Sequence, residues 1–317
     1  MLRTTINICA RLLPLSATVG LCVFVFWKPE FFDFSSKQIV KPDNIFFVRT
    51  STEPLEYLEL CAFYSAAHQN PSFSVTLLSS NVSFKIPAYF SKLSNFKQEL
   101  VGLDQLFHGT AYERWYKSGI WKVKEPVKRA RFLSDAARLA YLFKNGGIYM
   151  DTDLIALRPF PEKLHNSVPL QSPLDHLDAI GNGFLIFSPK HPFLKMVMEK
   201  HAKIFDPRKR DIDFSVVLFT KIYKQMKQND EKVPVLLAPR LIFPFVYVNG
   251  QEILENAAFL SKEMRKNIQN AWTLHVWRNK LRSIYGYSDI IPPDNSVLHK
   301  IAERNCFEVL EDWKDIF

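Results

Sequence analysis

Asp151-Thr152-Asp153 places two carboxylates at i and i+2, directly after Ile148-Tyr149-Met150, a β-branched and aromatic run that reads as a short buried strand. Carboxylates set out this way suit a hard divalent cation. Mg²⁺ or Mn²⁺ is held by one or two of them and leaves its other positions to water and phosphate oxygens, so a nucleoside diphosphate would complete the shell. The chain contains its own control. Asp211-Ile212-Asp213 repeats the spacing but follows Arg208-Lys209-Arg210, with neither strand nor glycine pair in front of it. Context singles out Asp151 and Asp153 as the metal ligands.

The elements that must position them lie immediately upstream. Ala130, Leu133, Ala136, Ala137 and Ala140 recur at helical spacing, while Arg131, Asp135 and Arg138 gather on another face. Pro126 opens this helix, and Asn145-Gly146-Gly147 ends it with residues that tolerate left-handed backbone angles. Asp135 and Arg138, one turn apart, read in two ways. They form a surface ion pair worth about a few tenths of a kcal/mol, or Asp135 accepts from ligand hydroxyls while Arg138 neutralises diphosphate charge or orients the acid.

Three other segments bear on the site. Ile45-Phe46-Phe47-Val48 reads as a central parallel strand, followed by a helix from Pro54 to Asn70 and a second strand, Val75 to Leu78. That βαβ opening makes the loop Arg49-Thr50-Ser51-Thr52, beyond the carboxyl end of the first strand, a candidate for nucleotide contact. Gly181-Asn182-Gly183 is a turn that admits close backbone approach, before the strand Phe184–Phe187; Asn182 is there for its turn angle or for a ligand. Ala271 to Trp277 is an alternating run with one imidazole, His275, which from its neighbours reads as a satisfied core residue.

With 317 residues, 47% of them hydrophobic and 27 of them Phe, the chain can bury a large core, and disorder is not indicated. The formal charge of +9 is scattered in short clusters such as Lys122-Val123-Lys124, and no motif points to nucleic acid as a partner. Arg3 and Arg11 precede an apolar run from Leu12 to Trp27. It reads as an uncleaved signal-anchor, the alternative being a cleaved signal peptide. Positive charge at the N-terminal side predicts type II topology: a cytosolic tail over 1–11, a transmembrane helix over 12–27, a stem over 28–43 and a lumenal domain over 44–317. Cys9 and Cys22 fall in or beside that segment, which leaves Cys61 and Cys306 as a disulfide or as two buried thiols. Asn81-Val82-Ser83 is a sequon for N-glycosylation at Asn81.

The run SDAARLAYLFKNGGIYMDTD resembles the DXD glycosyltransferases with a nucleotide-sugar-binding GT-A fold, and more narrowly the α1,4-glycosyltransferases. ERWYKSGIW, His191-Pro192-Phe193, Ile242-Phe243-Pro244-Phe245 and the His-x-Trp of His275 are similar to further family elements. The resemblance implies an α/β fold with a mixed, GT-A-like sheet flanked by helices on an N-terminal membrane anchor. It implies a UDP-sugar donor (Gal, GalNAc or GlcNAc), Mn²⁺ (or Mg²⁺), and α1,4 transfer with retention to a terminal sugar of a glycolipid or glycoprotein, in the Golgi membrane. Asp151, Asp153 and Asn182 would act at the reacting centre. Thr50, Ser51, Arg131, Asp135, Arg138, Tyr149, Asp151 and His275 would hold the donor, and His275 would join Asp151 and Asp153 on the metal.

The chain departs from the family at three places. Arg49 and Tyr64 stand where the family usually carries Glu, and Phe214-Ser215 stands where it has a Gly-Pro pair. A non-catalytic lumenal protein that keeps the fold and binds sugar nucleotide or a partner enzyme is therefore the alternative. A haloacid-type phosphotransferase would want Thr two residues after the second Asp, and Ile155 stands there.

Overall fold

The structure is a computed structural model that describes residues 42–80, 83–174, 177–209, 214–229, 231–245, 247–285 and 292–314. The apolar run at Ile45 forms β1 (Asn44–Arg49), buried on both faces from Ile45 onward. It lies between β2 (Ser74–Ser79) and β4 (Gly147–Met150), parallel to both, and β3 (Phe96–Leu100) extends the parallel half. Beyond β4 the direction reverses. β8 (Phe184–Phe187) pairs antiparallel with β4, β6 (Ser167–Leu174) with β8, and β7 (Leu177–Ile180) with β6. β9 (Val235–Leu237) runs parallel to β6, completing a mixed sheet. A separate two-stranded ladder joins β5 (Leu154–Ala156) to β10 (Thr273–His275).

Strand alternation divides the core in two. Ile45 and Phe47 pack with α1 (Tyr57–Gln69) on one side of the sheet. Phe46 and Val48 pack with the alanine face of α2 (Pro126–Asn145) on the other. The glycine pair is what lets α2 return into the sheet. Gly146 ends the helix at φ +70°, and a Cβ on Gly147, at φ +111°, would lie 2.1 Å from Asn44 Oδ1. The expected helix from Pro54 begins three residues later, at Tyr57. Glu59 accepts from the Glu56 backbone N–H as half of a capping box, and the Arg49 guanidinium takes the Glu53 and Pro54 carbonyls, so 53–56 are spent as an extended lead-in.

Two open questions from the sequence are answered here. Cys61 and Cys306 form a disulfide, tying α1 to the C-terminal end of the helix Val297–Asn305. Tyr64 lies in the core of that same region, stacked on His68 and edge-on to Phe90, so its departure from Glu is absorbed by packing. The ERWYKSGIW segment forms the helix Tyr112–Ser118 and an aromatic cluster in which Trp121 stacks on Tyr116 at 5.1 Å. The stretch from Ile242 to Phe245 holds no strand: Pro239–Ile242 is a helical turn leading into Phe243 and Phe245, both buried. Among the described residues no helix is long and apolar enough to cross a membrane. The expected tail, the anchor at 12–27, most of the stem and Asn81 lie outside the described residues.

His201, on the helix Pro192–Ile204, is enclosed by the rings of Tyr112, Trp115, Phe205 and Phe214. Burial lowers its pKa from 6.5 to about 4. The unfolded chain takes up this proton as pH falls through 6.5 and the folded chain does so only near 4, so folding stability is unaffected above that window and declines within it. We expect urea midpoints to drop between pH 7 and pH 4.5, with a shallower drop in His201→Phe; equal slopes in the two proteins would contradict this origin.

Candidate active site

A cavity of about 1060 Å³ opens at the carboxyl ends of β1 and β4. Such a position is where open α/β sheets collect ligands. The loop after β1, the polar face of α2, the turn after β4, the Asn182 turn and the chain after β10 all contribute to its wall. Thr50, Ser51, Arg131, Asp135, Arg138, Tyr149, Asp151, Asp153, Asn182 and His275 all line it. Asp211 and Asp213 lie outside the described residues.

Arg138 organises one half of the site. It projects from α2 with Nη1 at 2.9 Å from Asp151 Oδ1 and Nη2 at 3.0 Å from Asp135 Oδ1. Nη1 also donates to the Asn182 carbonyl at 3.1 Å, and the guanidinium lies over the Tyr149 ring at 4.5 Å. Burial works against its charge, but Asp151, Tyr149, Asp135 and Asp153 outweigh burial and raise its pKa. The Tyr149 hydroxyl donates to Asp151 Oδ1 at 2.5 Å, and burial pushes that phenol well above its ordinary pKa. Asn182 Nδ2 donates to Asp135 Oδ1 at 3.3 Å. The ion pair on α2 is thus part of the cavity wall, not an isolated surface pair. Gly183 completes this half by having no side chain: its carbonyl accepts the Asp151 N–H at 2.8 Å, and a Cβ there would lie 2.7 Å from Asp151 Oδ2.

The other half is built by the β5–β10 ladder. Pairing of His275 with Leu154 sets the imidazole beside Asp153, with Nε2 at 3.2 Å from Oδ1. Trp277, at φ +56°, turns the chain so that the Val276 N–H reaches the Asp153 carbonyl and the Arg278 N–H reaches Asp153 Oδ2 at 3.0 Å. Burial would raise the Asp153 pKa; His275 and Arg278 reverse this and hold it below the usual carboxylate range.

Ligand atoms of Asp151, Asp153 and His275 lie within 4.8 Å of one another. Two carboxylates and an imidazole suit Mn²⁺ or Mg²⁺, and Gly183 leaves an Asp151 oxygen uncovered. His275 Nδ1 is buried without a hydrogen-bond partner among the described residues. These residues fit a divalent cation.

Sequence reading passed over a row of charges behind Asp153. Arg278 Nη1 stands 3.2 Å from Glu59 and 3.3 Å from Glu56, and Nη2 donates to Thr152 Oγ1. Arg49 Nε donates to both Glu59 oxygens, and Arg282 pairs with Glu56. The signal available was Glu56 and Glu59, one turn apart at a helix start, with Arg278 three residues after His275. Arg49, the charge reversal in the first loop, is neutralised by Glu59. Ser215 borders the cavity, with Phe214 packed on Phe205 behind it.

Residues 57–174 match the family described as glycosyltransferase sugar-binding region containing DXD motif. By this match and by its relatives the chain is a glycosyltransferase. Among its relatives, the lactosylceramide 4-alpha-galactosyltransferase of Mus musculus is 28% identical over 304 residues, covering 86% of this chain and 78% of that protein. The alpha-1,4-N-acetylglucosaminyltransferase of Homo sapiens is 31% identical over 177 residues, covering 51% and 49%. Among solved structures, the PaToxG glycosyltransferase aligns with a TM-score of 0.46 at 15% identity, over 78% of this chain and 88% of that one. The region that the family model matches runs from α1 to Leu174 and stops before Asn182 and His275, which the fold brings to the same cavity.

Removing Arg138 would leave Asp135 and Asp151 facing each other's charge without their shared cation. Both carboxylates keep between a fifth and a quarter of their side-chain surface exposed, which places the cost at the low end for a buried pair. Arg138→Met is expected to lower the free energy of unfolding by roughly 2–3 kcal/mol in urea titrations. Arg138→Lys, which keeps charge but not the two-pronged geometry, should recover less than half of that.

Proposed function

We propose that this glycosyltransferase moves a hexose or N-acetylhexosamine (Gal, GalNAc or GlcNAc) from a UDP-sugar to a terminal sugar of a glycolipid or glycoprotein, with α1,4 linkage and retention. The observation that carries the reading is the convergence of Asp151, Asp153 and His275 beside the Asp135–Arg138–Asn182 network in one cavity. The names of the relatives support the donor class and the linkage. When bound by Asp151, Asp153 and His275, Mn²⁺ (or Mg²⁺) supplies Lewis-acid stabilisation of the charge that develops on the departing diphosphate.

The chain's own residues bind and orient. Asp135 accepts from donor-sugar hydroxyls, and Asn182, whose Nδ2 donates to Asp135 Oδ1, stands beside it near the transferred sugar. Arg138 has its fork taken up by Asp135, Asp151 and the Asn182 carbonyl, so it orients those groups in preference to meeting phosphate. Tyr149 fixes one Asp151 oxygen by donating to it. Thr50 and Ser51, beyond β1, and Arg131, exposed on α2, face the nucleotide. The Thr50 hydroxyl is held by the Ala130 carbonyl at 2.6 Å, which joins that loop to α2.

The non-catalytic alternative loses its support at Arg49 and Tyr64, since Glu59 neutralises the first and the core encloses the second. On the same reading the protein is a type II Golgi membrane enzyme, with residues 12–27 as the signal-anchor, 28–43 as the stem and 44–317 lumenal. Asn81 is its glycosylation site.

The test is UDP release by the full-length protein with a panel of UDP-sugars and β-linked disaccharide acceptors. We expect acceptor-stimulated release that EDTA abolishes and Mn²⁺ restores, and that Asp151→Ala lowers roughly 10²–10³-fold. Turnover indifferent to EDTA and to that substitution would refute the metal-dependent reading.

A further inference from the structure

Glu59 is buried on the first turn of α1 and belongs to none of the groups assigned above to donor or metal. A carboxylate removed from water persists in ionised form only where cations and hydrogen bonds replace its hydration. They arrive from two sides. Arg49 Nε donates to its two oxygens at 3.0 and 3.1 Å, and the Glu56 N–H donates at 3.1 Å. On the far side Arg278 Nη1 stands 3.2 Å from Oε1.

Arg49 and Arg278 stand differently toward this acid. Arg49 has two further acceptors of its own in the Glu53 and Pro54 carbonyls. Arg278 shares its other carboxylate, Glu56, with Arg282, and its Nε is buried without a partner among the described residues. Its backbone N–H meanwhile holds Asp153 Oδ2 at 3.0 Å, and Nη2 reaches Thr152 at 3.3 Å. One residue is therefore fastened at its guanidinium by Glu59 and at its main chain to the second carboxylate of the DTD motif. With Glu59 uncharged, that guanidinium keeps only Glu56, which it already shares with Arg282, and the next group with negative charge beside it is the DTD turn, where it would compete with an incoming cation.

We propose that Glu59 is a positioning residue for divalent-cation binding: by anchoring the Arg278 guanidinium it keeps that charge off Asp153 and holds the main-chain bond that orients the Asp153 carboxylate. This rests on the reading of Asp151, Asp153 and His275 as the metal site. Partners behind metal-ligating carboxylates typically change metal affinity by about 10–100-fold when removed.

The test titrates the full-length protein with Mn²⁺ alone, following the free ion by electron paramagnetic resonance, and records a thermal midpoint for each variant. Glu59→Gln is expected to weaken Mn²⁺ binding by about tenfold or more and to lower the midpoint, since it leaves Arg49 partly unpaired. The double variant Arg49→Met/Glu59→Gln removes both buried charges. It should regain much of the thermal stability yet keep the weakened Mn²⁺ binding, because Arg278 still lacks Glu59 and holds only the shared Glu56. A Glu59 that served only to neutralise Arg49 would return affinity and midpoint together in the double variant, and wild-type affinity in either variant overturns the proposal. Wild-type protein that binds no Mn²⁺ removes the metal reading, and this inference with it.

Discussion

Acidic side chains gathered at the end of a buried strand repel one another and lose hydration, so they stay ionised only where cations stand behind them. Two arginines do this here, one for each aspartate of the DTD motif. Arg138 reaches Asp151 from α2, and Arg278 reaches Asp153 through its main chain while its guanidinium meets Glu56 and Glu59. Each of these cations comes from an element on a different side of the sheet. The motif is consequently supported from both layers, and the geometry of the sheet, helix α2 and the β5–β10 ladder is transmitted to the two carboxylates.

That dependence explains why particular residues of no chemical interest stand around the site. Gly147 lets the chain pass Asn44 and enter β4 in register with β1, and Gly183 gives the Asp151 carboxylate room. Ile148 and Met150 face the α1 side of the sheet while Tyr149 faces α2. The strand's alternation thereby directs the one polar ring of the run toward Arg138 and its hydroxyl toward Asp151.

What could be read from residues alone follows the range of the forces involved. The strand at Ile45, the alanine face of α2, the glycine stop and the DTD turn are all encoded within a few residues, by periodicity and by backbone preference, and the structure has each of them where it was expected. His275 illustrates the limit. Its alternating neighbours predict a strand, but whether its ring is enclosed or faces a ligand depends on pairing with Leu154, more than a hundred residues earlier. The same holds for Cys61 with Cys306, and for the start of α1, where Arg49 claims carbonyls that a helix from Pro54 would have used. Long-range pairings of this kind leave no local periodicity.

Arg49 shows how a single-site comparison misleads when charges act as a set. Taken alone, a cation where relatives carry an acid reverses the charge at the mouth of the first loop. In the folded chain it is one end of a line, Arg49–Glu59–Arg278–Glu56–Arg282, in which signs alternate from contact to contact. Three cations and two anions leave that line with one net positive charge, placed behind a DTD turn that carries two negative ones. The field at the aspartates depends on this sum and on where its last member points, so the reversal at 49 is compensated at 59 before it reaches the site. The cost of the arrangement is that no member of the line is independent: neutralising Glu59 leaves Arg278 with the Glu56 that it shares with Arg282, and beyond these two carboxylates lies Asp153, held by its main chain.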